Sequence, residues 1–334
     1  MPPLYVVEQG AKIQKESRRL VVTKDDVVLQ SVPLIKVEQV LIFGNVTITT
    51  PALVTLMHQG IDVVFCDQYG RYRGRVVGEM SGHSRLRRLQ YRRMDDAAFV
   101  LQTARTVVRA KLSNMRVVLL RHQRERAHPA LQGAIERLAE LLEQVERVRS
   151  LNSLRGVEGA ASAAYFGVLR WLLRDPAWDF RGRVRRPPGD PINVLLSFGY
   201  TLLVRYIESA VAAVGLDPYL GCLHCDVYNR PSLALDIAEE FRCVVVDSVV
   251  LRCVNGGLIR PENFSRQDDP ARPVLLDEAG RNTFIRELET RLATSFIHPA
   301  SGEQVTYRRC FELQAREMAR AIRSGGIYRP FVVR

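Results

Sequence analysis

The chain lacks the features that mark secreted, membrane-spanning and nucleotide-hydrolysing proteins. Its six cysteines have no disulfide-framework spacing, and no apolar run approaches membrane-spanning length. The start, Met-Pro-Pro-Leu, has neither the charged segment nor the apolar core of a secretory signal. The GxxxxGK(S/T) phosphate loop is also absent. These absences predict a reduced, cytoplasmic protein without a membrane partner.

Lysine is scarce in a chain that is otherwise strongly basic. The net charge is +12 and the pI is about 9.7, yet only five of the 48 basic residues are lysine. A basic balance of this size indicates a polyanionic partner, and the planar fork of arginine suits bidentate contacts with phosphate. A GC-rich genome would give the same arginine bias. The arginines cluster at 85–88, 92–93, 121–126, 181–186 and 308–309, which favours DNA-binding patches over an even surface.

The length of 334 residues suits two domains. Residues 1–79 contain short β-branched stretches separated by polar turns, which predict a β-rich domain with one helix from Pro51 to His58. Residues 80–92 have the composition of a basic connector. Helical periodicity dominates residues 93–334. The predicted fold class is therefore α+β, with a small N-terminal β-rich domain followed by a larger, mainly α-helical domain.

The segment 243–254 gives conflicting signals. Its valines and leucine favour a strand by intrinsic propensity. Burial can override propensity, and the resemblance described below places a helix there. We expect the helix.

The segment 221–242 contains the first candidate site. Asp236 and Glu239 are three residues apart, so both carboxylates emerge on one face of a short helix, and Arg242 continues that stripe. Ser232 is placed to cap the start of this helix. His224 lies in the preceding turn, from which it can fold back over the two carboxylates. These groups can hold a divalent metal if a further ligand comes from elsewhere.

Two alternatives compete with that interpretation. Carboxylates with this spacing are common on solvated helices. Cys222 and Cys225 form a C-x-x-C around His224, but Cys243 and Cys253 do not supply the second ligand pair of a zinc ribbon.

Glu158 is the best candidate for the missing ligand. It is the only acidic residue in the small-residue segment 154–167, where glycines and alanines permit close approach of another backbone. A carboxylate buried there is costly unless it is paired or bound to a cation. The alternative is an ordinary alanine-rich helix in which Glu158 pairs with Arg155.

The segments 154–167, 186–200 and 221–242 together resemble the CRISPR-associated spacer integrase, the catalytic subunit of the CRISPR adaptation module. Residues 40–49 resemble part of that family's β-rich domain, and residues 314–331 resemble its C-terminal helix and tail. The resemblance therefore covers essentially the whole chain. It implies a β-rich domain that mediates dimerisation and an α-helical domain that is catalytic and binds DNA.

The resemblance also implies roles for particular residues. The family's metal ligands fall on Glu158, His224 and Glu239, with Asp236 as a neighbouring acidic residue, and which of Asp236 and Glu239 coordinates directly stays open. The implied cofactor is Mg²⁺ or Mn²⁺. Tyr165 and Asn193 match polar positions that the family places near the site, and the predicted DNA-binding residues are Tyr165, Arg186, Asn193 and Arg242.

The implied reaction is transesterification, in which the 3′-hydroxyl of a short foreign DNA displaces a 3′-oxygen in the CRISPR repeat. The implied partners are double-stranded DNA (the pre-spacer and the repeat array), a second copy of the chain, and a small ferredoxin-like subunit of the adaptation module. Two alternatives remain: a metal-dependent nuclease that hydrolyses branched or single-stranded DNA, and a non-catalytic, arginine-rich DNA-binding scaffold.

Overall fold

A computed structural model describes residues 3–78, 82–224 and 227–333 of the chain. The chain divides into two compact units, Met1–Gly82 and His83–Arg334.

The first unit is built from two sheets and one helix. Within residues 3–78 one four-stranded sheet has the order β4-β3-β2-β6, and the other has the order β1-β5-β7-β8 with β1, β5 and β7 parallel. The elements are β1 (Leu4–Val6), β2 (Lys12–Glu16), β3 (Arg19–Lys24), β4 (Val27–Pro33), β5 (Gln39–Phe43), β6 (Thr47–Ile48), α1 (Thr50–His58), β7 (Asp62–Cys66) and β8 (Tyr72–Val76).

The sequence of each strand explains its place in these sheets. All five residues of β5 are buried, as expected for an apolar strand with parallel neighbours on both sides. At the opposite extreme, β4 lies at the edge of its sheet and exposes Val27, Val28 and Leu29. The tight turn from β3 to β4 uses Asp25 and Asp26 at positive φ (48° and 62°), a conformation that Asp tolerates better than most residues.

The second unit is mainly helical, with two short β-hairpins. Its elements are α2 (Ser84–Met94), α3 (Ala97–Glu125), α4 (Pro129–Arg147), α5 (Leu151–Val168), α6 (Pro191–Val214), α7 (Ser232–Ala238), a π-helical segment (Arg242–Asp247), α8 (Ser248–Asn255), β9 (Phe264–Arg266), β10 (Val274–Leu276), α9 (Glu278–Leu292), β11 (Ser295–Ile297), β12 (Gln304–Thr306) and α10 (Tyr307–Ser324). The long helix α3 packs against α4, α5 and α7. The predicted α+β fold class is confirmed.

Several sequence predictions need correction at the level of single elements. The predicted basic connector 80–92 is mostly helix α2, because Leu86 and Gln90 lie one turn apart and are both buried on its packed face. Residues 80 and 81 lie outside the described residues. Ser232 is the first residue of α7 and Pro231 takes the N-cap position, so Ser232 does not occupy the capping position predicted for it. The helix expected over 243–254 is present, and it begins with a π-helical turn.

The helix α6 corrects the prediction that no apolar run approaches membrane-spanning length. Among the described residues it is the one helix long and apolar enough to span a membrane by length and composition. Of its most apolar 18-residue window, 67% is buried inside the protein, as is typical of a core helix. The polar residues scattered along α6 hide this apolar character in the sequence.

Candidate active site

Four parts of the helical unit bring a cluster of charged side chains together. Six of the seven residues of α7 are buried and only Leu235 is partly exposed, and a helix of this kind lies in the interior of its domain. Its polar residues are therefore held inside the protein. The cluster consists of Lys111 on α3, Glu158 on α5, His224 before α7, Asp236 on α7, and Glu239 and Arg242 after α7.

Asp236 organises the turn that carries His224. Its Oδ2 accepts hydrogen bonds from the backbone N–H groups of Cys222 (2.5 Å) and Leu223 (2.9 Å), and its Oδ1 accepts one from the N–H of His224 (3.0 Å). The turn lies very close to α7, because a Cβ atom at Gly221 would come within 2.7 Å of Asp236 Oδ2 and of the Ser232 backbone. Glycine is required there for steric reasons.

The same carboxylate fixes the ring of His224. Nδ1 of His224 lies 2.7 Å from Asp236 Oδ1. A carboxylate only accepts hydrogen bonds, so Nδ1 carries a proton, and Nε2 is the nitrogen whose lone pair can bind a metal. Nε2 points towards Glu239 and lies 3.7 Å from its Oε1. A histidine oriented by a carboxylate in this way is the usual arrangement around a protein-bound metal.

Glu239 faces the centre of the cluster. Its Oε1 lies 3.1 Å from Arg242 Nη1, and its Oε2 lies 2.7 Å from Lys111 Nζ. Burial alone would raise the pKa of Glu239, but Arg242, Lys111 and His224 outweigh that effect and lower it to about 2. Glu239 is therefore ionised throughout the neutral range. The Asp236 carboxylate accepts its hydrogen bonds from the turn, whereas the Glu239 carboxylate lies beside His224 Nε2.

Glu158 approaches the cluster from α5. Its Oε1 forms an ion pair with Lys111 Nζ and accepts a hydrogen bond from Ser162 Oγ (3.0 Å). The alternative pairing with Arg155 does not form, because Arg155 Nε donates to the carbonyl of Leu223 instead (2.9 Å). The expectation that small residues in this segment admit a close backbone is wrong at its first two glycines. Cβ atoms added at Gly156 and Gly159 would meet nothing within 4 Å.

Lys111 is the residue that sequence reasoning missed. Its side chain is only 3% exposed, and its ammonium contacts both Glu158 and Glu239. Two signals in the sequence could have identified it. It is the only lysine after residue 36, and it lies directly between the apolar residues Ala110 and Leu112.

The potential metal ligands Glu158, His224 and Glu239 suit a divalent cation, although the two glutamates contact the Lys111 ammonium in this structure. Two carboxylates and an imidazole nitrogen match Mg²⁺ or Mn²⁺, and no described thiolate enters the cluster. Among the described residues, no group of three or more His, Cys, Asp or Glu side chains stands in an arrangement that could hold a metal directly. The chemistry of the donors fits, and Lys111 lies between two of them.

Comparisons with known proteins identify the family. The family model described as CRISPR associated protein Cas1 matches residues 4–290. The chain belongs to the Cas1 family. This membership confirms the resemblance drawn from the sequence and the prediction of a CRISPR-associated endonuclease. A Cas1 relative from Rhodospirillum rubrum, named CRISPR-associated endonuclease Cas1 2, is 38% identical over 330 residues, which cover 96% of this chain and 94% of that protein.

Solved structures share the fold of this Cas1 chain. A Cas1 protein from Thermotoga maritima superposes with a TM-score of 0.82 at 24% identity, covering 96% of this chain and 97% of the other. A chain of a Cas6-RT-Cas1–Cas2 complex superposes with a TM-score of 0.84 at 26% identity. That match covers 99% of this chain and 36% of the larger one.

Two predicted DNA-binding residues of this Cas1 protein are buried, so the prediction of DNA contact is wrong for them. Tyr165 is fully buried and interacts with Asp247, whose Oδ1 also accepts a 2.6 Å hydrogen bond from Tyr200. Asn193 is fully buried at the start of α6, where its amide nitrogen donates to the Gly182 carbonyl (2.8 Å). Both residues belong to the buried core of the helical unit.

The other two predicted DNA-binding residues, Arg242 and Arg186, differ in their surroundings. Arg242 pairs with Glu239 and lies over the Tyr200 ring at 5.0 Å from its centroid, so it is part of the cluster. Arg186 is exposed in the loop before α6, and its contact with DNA stays a prediction. Cys225 lies outside the described residues, whereas Cys222 is buried and its thiol contacts Met94.

The C-terminal tail of this Cas1 chain packs against the residue that follows Glu239. Glu240 accepts hydrogen bonds from the Tyr328 hydroxyl (2.6 Å) and from the backbone N–H of Phe331 (2.7 Å). Burial raises the pKa of Glu240 to about 8, although these hydrogen bonds oppose the shift. The Phe331 ring stacks on Phe241 at 4.9 Å between centroids. The tail therefore supports the short turn on which Glu239 stands.

Proposed function

We propose that this Cas1 protein joins the 3′-hydroxyl ends of short foreign DNA to a CRISPR repeat array by transesterification at the Glu158, His224 and Glu239 site. The observation that carries the proposal is the orientation of His224, whose Nδ1 is held by Asp236 so that Nε2 faces Glu239. We assign Glu158, His224 and Glu239 as ligands of Mg²⁺ or Mn²⁺, and Asp236 as the residue that orients His224.

The side chains of the site have different roles in the proposed reaction. Asp236 orients the imidazole so that Nε2 faces Glu239, Glu158 and Glu239 supply carboxylates, and Arg242 holds one oxygen of Glu239 in place. When bound, the divalent ion would polarise the scissile phosphate and favour ionisation of the attacking hydroxyl. The attacking 3′-oxygen forms a bond to phosphorus while the bond to the repeat's 3′-oxygen breaks. One phosphodiester replaces another, so the reaction needs no nucleotide hydrolysis.

DNA binding is supported by the distribution of arginines on α2. Arg85, Arg88 and Arg92 are exposed and recur at the spacing of one helical face, opposite the buried Leu86 and Gln90. We assign this face to the phosphates of double-stranded DNA, with little preference for base sequence. The DNA substrates lie in the cytoplasm, and we place the protein there.

Partner proteins are proposed from the edge strand and from the structural relatives. In β4 the exposed fractions of Val27, Val28 and Leu29 are 61%, 58% and 48%, and an apolar edge strand is a template for pairing with another chain. We propose that this strand pairs two copies of the protein as a homodimer. Relatives at 26% identity were solved as complexes of Cas1 with Cas2, which supports a second partner, the small ferredoxin-like subunit of the adaptation module.

A joining assay tests the proposal. The protein with its small partner, Mn²⁺, a duplex with 3′-hydroxyl ends and a supercoiled repeat plasmid should give covalent joining, and His224→Ala should abolish it. The matched control is His58→Ala at an exposed position of the first unit, which should leave joining intact. Joining that persists in His224→Ala contradicts the proposal.

The same assay separates the alternative reactions. Blocking the 3′ ends should stop the joining reaction, because the 3′-hydroxyl is its attacking group and blocking removes it. Cleavage of DNA that continues with blocked ends would indicate a hydrolytic nuclease. Binding of DNA without any covalent change in the presence of Mn²⁺ would indicate a scaffold.

A further inference from the structure

Lys111 occupies an unusual place for a lysine. It lies in the middle of α3 with both neighbours, Ala110 and Leu112, fully buried, and its own side chain is 3% exposed. Burying an ammonium is costly unless it is paired and hydrogen-bonded. Lys111 meets that requirement with two carboxylates at once, Glu158 and Glu239. These are two of the three side chains that we assign to the metal.

The charges of the cluster explain why a cation, the Lys111 ammonium, lies between Glu158 and Glu239. Glu158, Asp236 and Glu239 contribute three negative charges, and Lys111 and Arg242 contribute two positive charges. Addition of a divalent metal with both cations retained would leave an excess positive charge of one in a largely buried site. Replacement of the ammonium by the metal leaves the site neutral. The exchange therefore avoids an uncompensated buried charge.

The positions of the atoms also oppose simultaneous occupancy. Lys111 Nζ lies 2.7 Å from Glu239 Oε2 and contacts Glu158 Oε1 directly. A Mg²⁺ ion bound by the same oxygens would sit about 2.1 Å from each of them. An ammonium and a divalent ion in contact with one pair of oxygens would lie within a few ångströms and repel each other strongly.

The backbone at Lys111 is fixed, so only the side chain can move. Asn114, one turn further along α3, donates to the carbonyls of Glu240 (2.7 Å) and Phe331 (3.0 Å). Its Oδ1 accepts from the backbone N–H of Val333 (2.9 Å). These bonds tie α3 to the turn after α7 and to the C-terminal tail. The four-carbon stem of lysine, by contrast, has the freedom to withdraw the ammonium.

We propose that Lys111 is the resident counter-ion of the metal-free site and that a divalent metal loads by exchange with its ammonium. The inference rests on the proposed metal-dependent function. Lys111 is a positioning residue: it keeps Glu158 and Glu239 side by side before loading and competes with the metal for them. The site thus stays assembled without metal, at the expense of metal affinity.

Isothermal titration of the full chain with MnCl₂ tests the exchange. Lys111→Met keeps most of the side-chain volume and removes the competing charge, so it should bind Mn²⁺ about tenfold more tightly, within the usual range of coupling between two ligands. Its melting temperature without metal should fall, and the shift on adding Mn²⁺ should exceed that of the wild type. Lys36→Met, at an exposed position of the first unit, should match the wild type. Equal or weaker Mn²⁺ binding by Lys111→Met overturns the exchange.

A double variant covers the case in which Lys111→Met does not fold without metal. Lys111→Met combined with Glu158→Gln removes one charge of each sign, so it should melt at a higher temperature than Lys111→Met alone. A double variant no more stable than the single variant overturns the counter-ion role. The proposed function fails separately: a wild type that binds no more Mn²⁺ than Glu239→Gln contradicts the metal site itself, whereas a wild type that binds Mn²⁺ more tightly than Lys111→Met contradicts only the exchange.

Discussion

Asp236 accepts a hydrogen bond from His224 Nδ1 at 2.7 Å and receives three backbone N–H groups of the same turn at 2.5 to 3.0 Å. Each of its two oxygens accepts two hydrogen bonds. An amide at this position would turn one acceptor into a donor that faces two N–H groups. This relationship separates the roles of Asp236 and Glu239, which spacing along the chain left open.

We expect Asp236→Asn to destabilise the protein by about 3 kcal/mol, because two hydrogen bonds to a charged group are lost and buried donors are left unpaired. DNA joining should fall by about 100-fold, the upper range for residues that orient a metal-ligating histidine. Urea denaturation and the joining assay measure the two effects. Asp179→Asn, on a carboxylate whose side chain is 70% exposed, is the control and should change stability by less than about 0.5 kcal/mol. Unchanged stability in Asp236→Asn would contradict the assignment.

The C-terminal tail gives a second prediction. Tyr328→Phe removes the hydroxyl that donates to the buried Glu240 (2.6 Å), which should cost about 1–2 kcal/mol. Chymotrypsin should then cleave more readily after the buried Phe331, since the tail detaches more often. Tyr228→Phe is the matched control, because the Tyr228 side chain is 93% exposed. Equal cleavage rates in both variants would show that the tail is held without Glu240.

Individual charged residues show where sequence reasoning succeeded and where it stopped. The segments carrying Glu158, His224, Asp236 and Glu239 were found from spacing and composition, because helical periodicity places neighbouring carboxylates on one face. Lys111 stands out in the sequence as an isolated lysine, but its role was not predicted, since nothing in the sequence indicates which part of α3 packs against α5 and α7. Tyr165 and Asn193 were predicted to contact DNA. They are buried by helices and loops that are distant in the sequence, so the residues around them do not reveal their burial.

The π-helical segment illustrates the same limit for secondary structure. The valine-rich run at 243–246 has the propensity of a strand. In the fold, the Val244 carbonyl accepts two hydrogen bonds from Arg291, at 3.0 Å from Nε and 2.6 Å from Nη2. A partner 47 residues away thus satisfies a carbonyl within the widened turn. Propensity describes only neighbours in sequence, so it cannot anticipate such a contact.

Dimerisation through β4 is tested by a charge on the exposed edge. Val28→Lys should shift the protein from dimer to monomer, because a lysine on an edge strand opposes pairing with a second strand. Light scattering coupled to size-exclusion chromatography reports the mass. Val54→Lys, another exposed position in the first unit, should leave the mass unchanged. A wild type that is monomeric, or a Val28→Lys variant that stays dimeric, contradicts pairing through this strand.

The arginine face of α2 predicts a change in salt dependence. Replacement of Arg85, Arg88 and Arg92 by Ala should weaken duplex binding and reduce the slope of log K against log salt concentration by about 3, one for each lost phosphate contact. Fluorescence anisotropy over a series of salt concentrations measures this slope. Thermal stability should stay the same, since the three side chains are exposed. An unchanged slope would place the DNA elsewhere on the protein.

The buried carboxyl of Asp247 predicts a specific dependence of stability on pH. Burial raises its pKa to about 6, although the hydrogen bond from Tyr200, the nearby Tyr165 hydroxyl and the charges of Arg183 and Arg242 oppose the shift. Between about pH 4 and 6 the folded protein therefore retains a proton that the unfolded chain has released. This contribution to stability is fully present below about pH 4 and is lost as the pH rises through about 6.

Asp247→Asn tests that contribution, because the amide is nearly isosteric and its oxygen can still accept from Tyr200. The stability of the wild type relative to Asp247→Asn should fall by about 3 kcal/mol from pH 4 to pH 7, at about 1.4 kcal/mol per pH unit within the window. Glu239 has a lowered pKa, which gives the opposite pH dependence below this window, but it is present in both proteins and cancels in the difference. Urea denaturation at half-unit pH intervals measures the two curves. Parallel curves would mean that Asp247 is ionised in the fold, and that the two tyrosines and two arginines outweigh its burial.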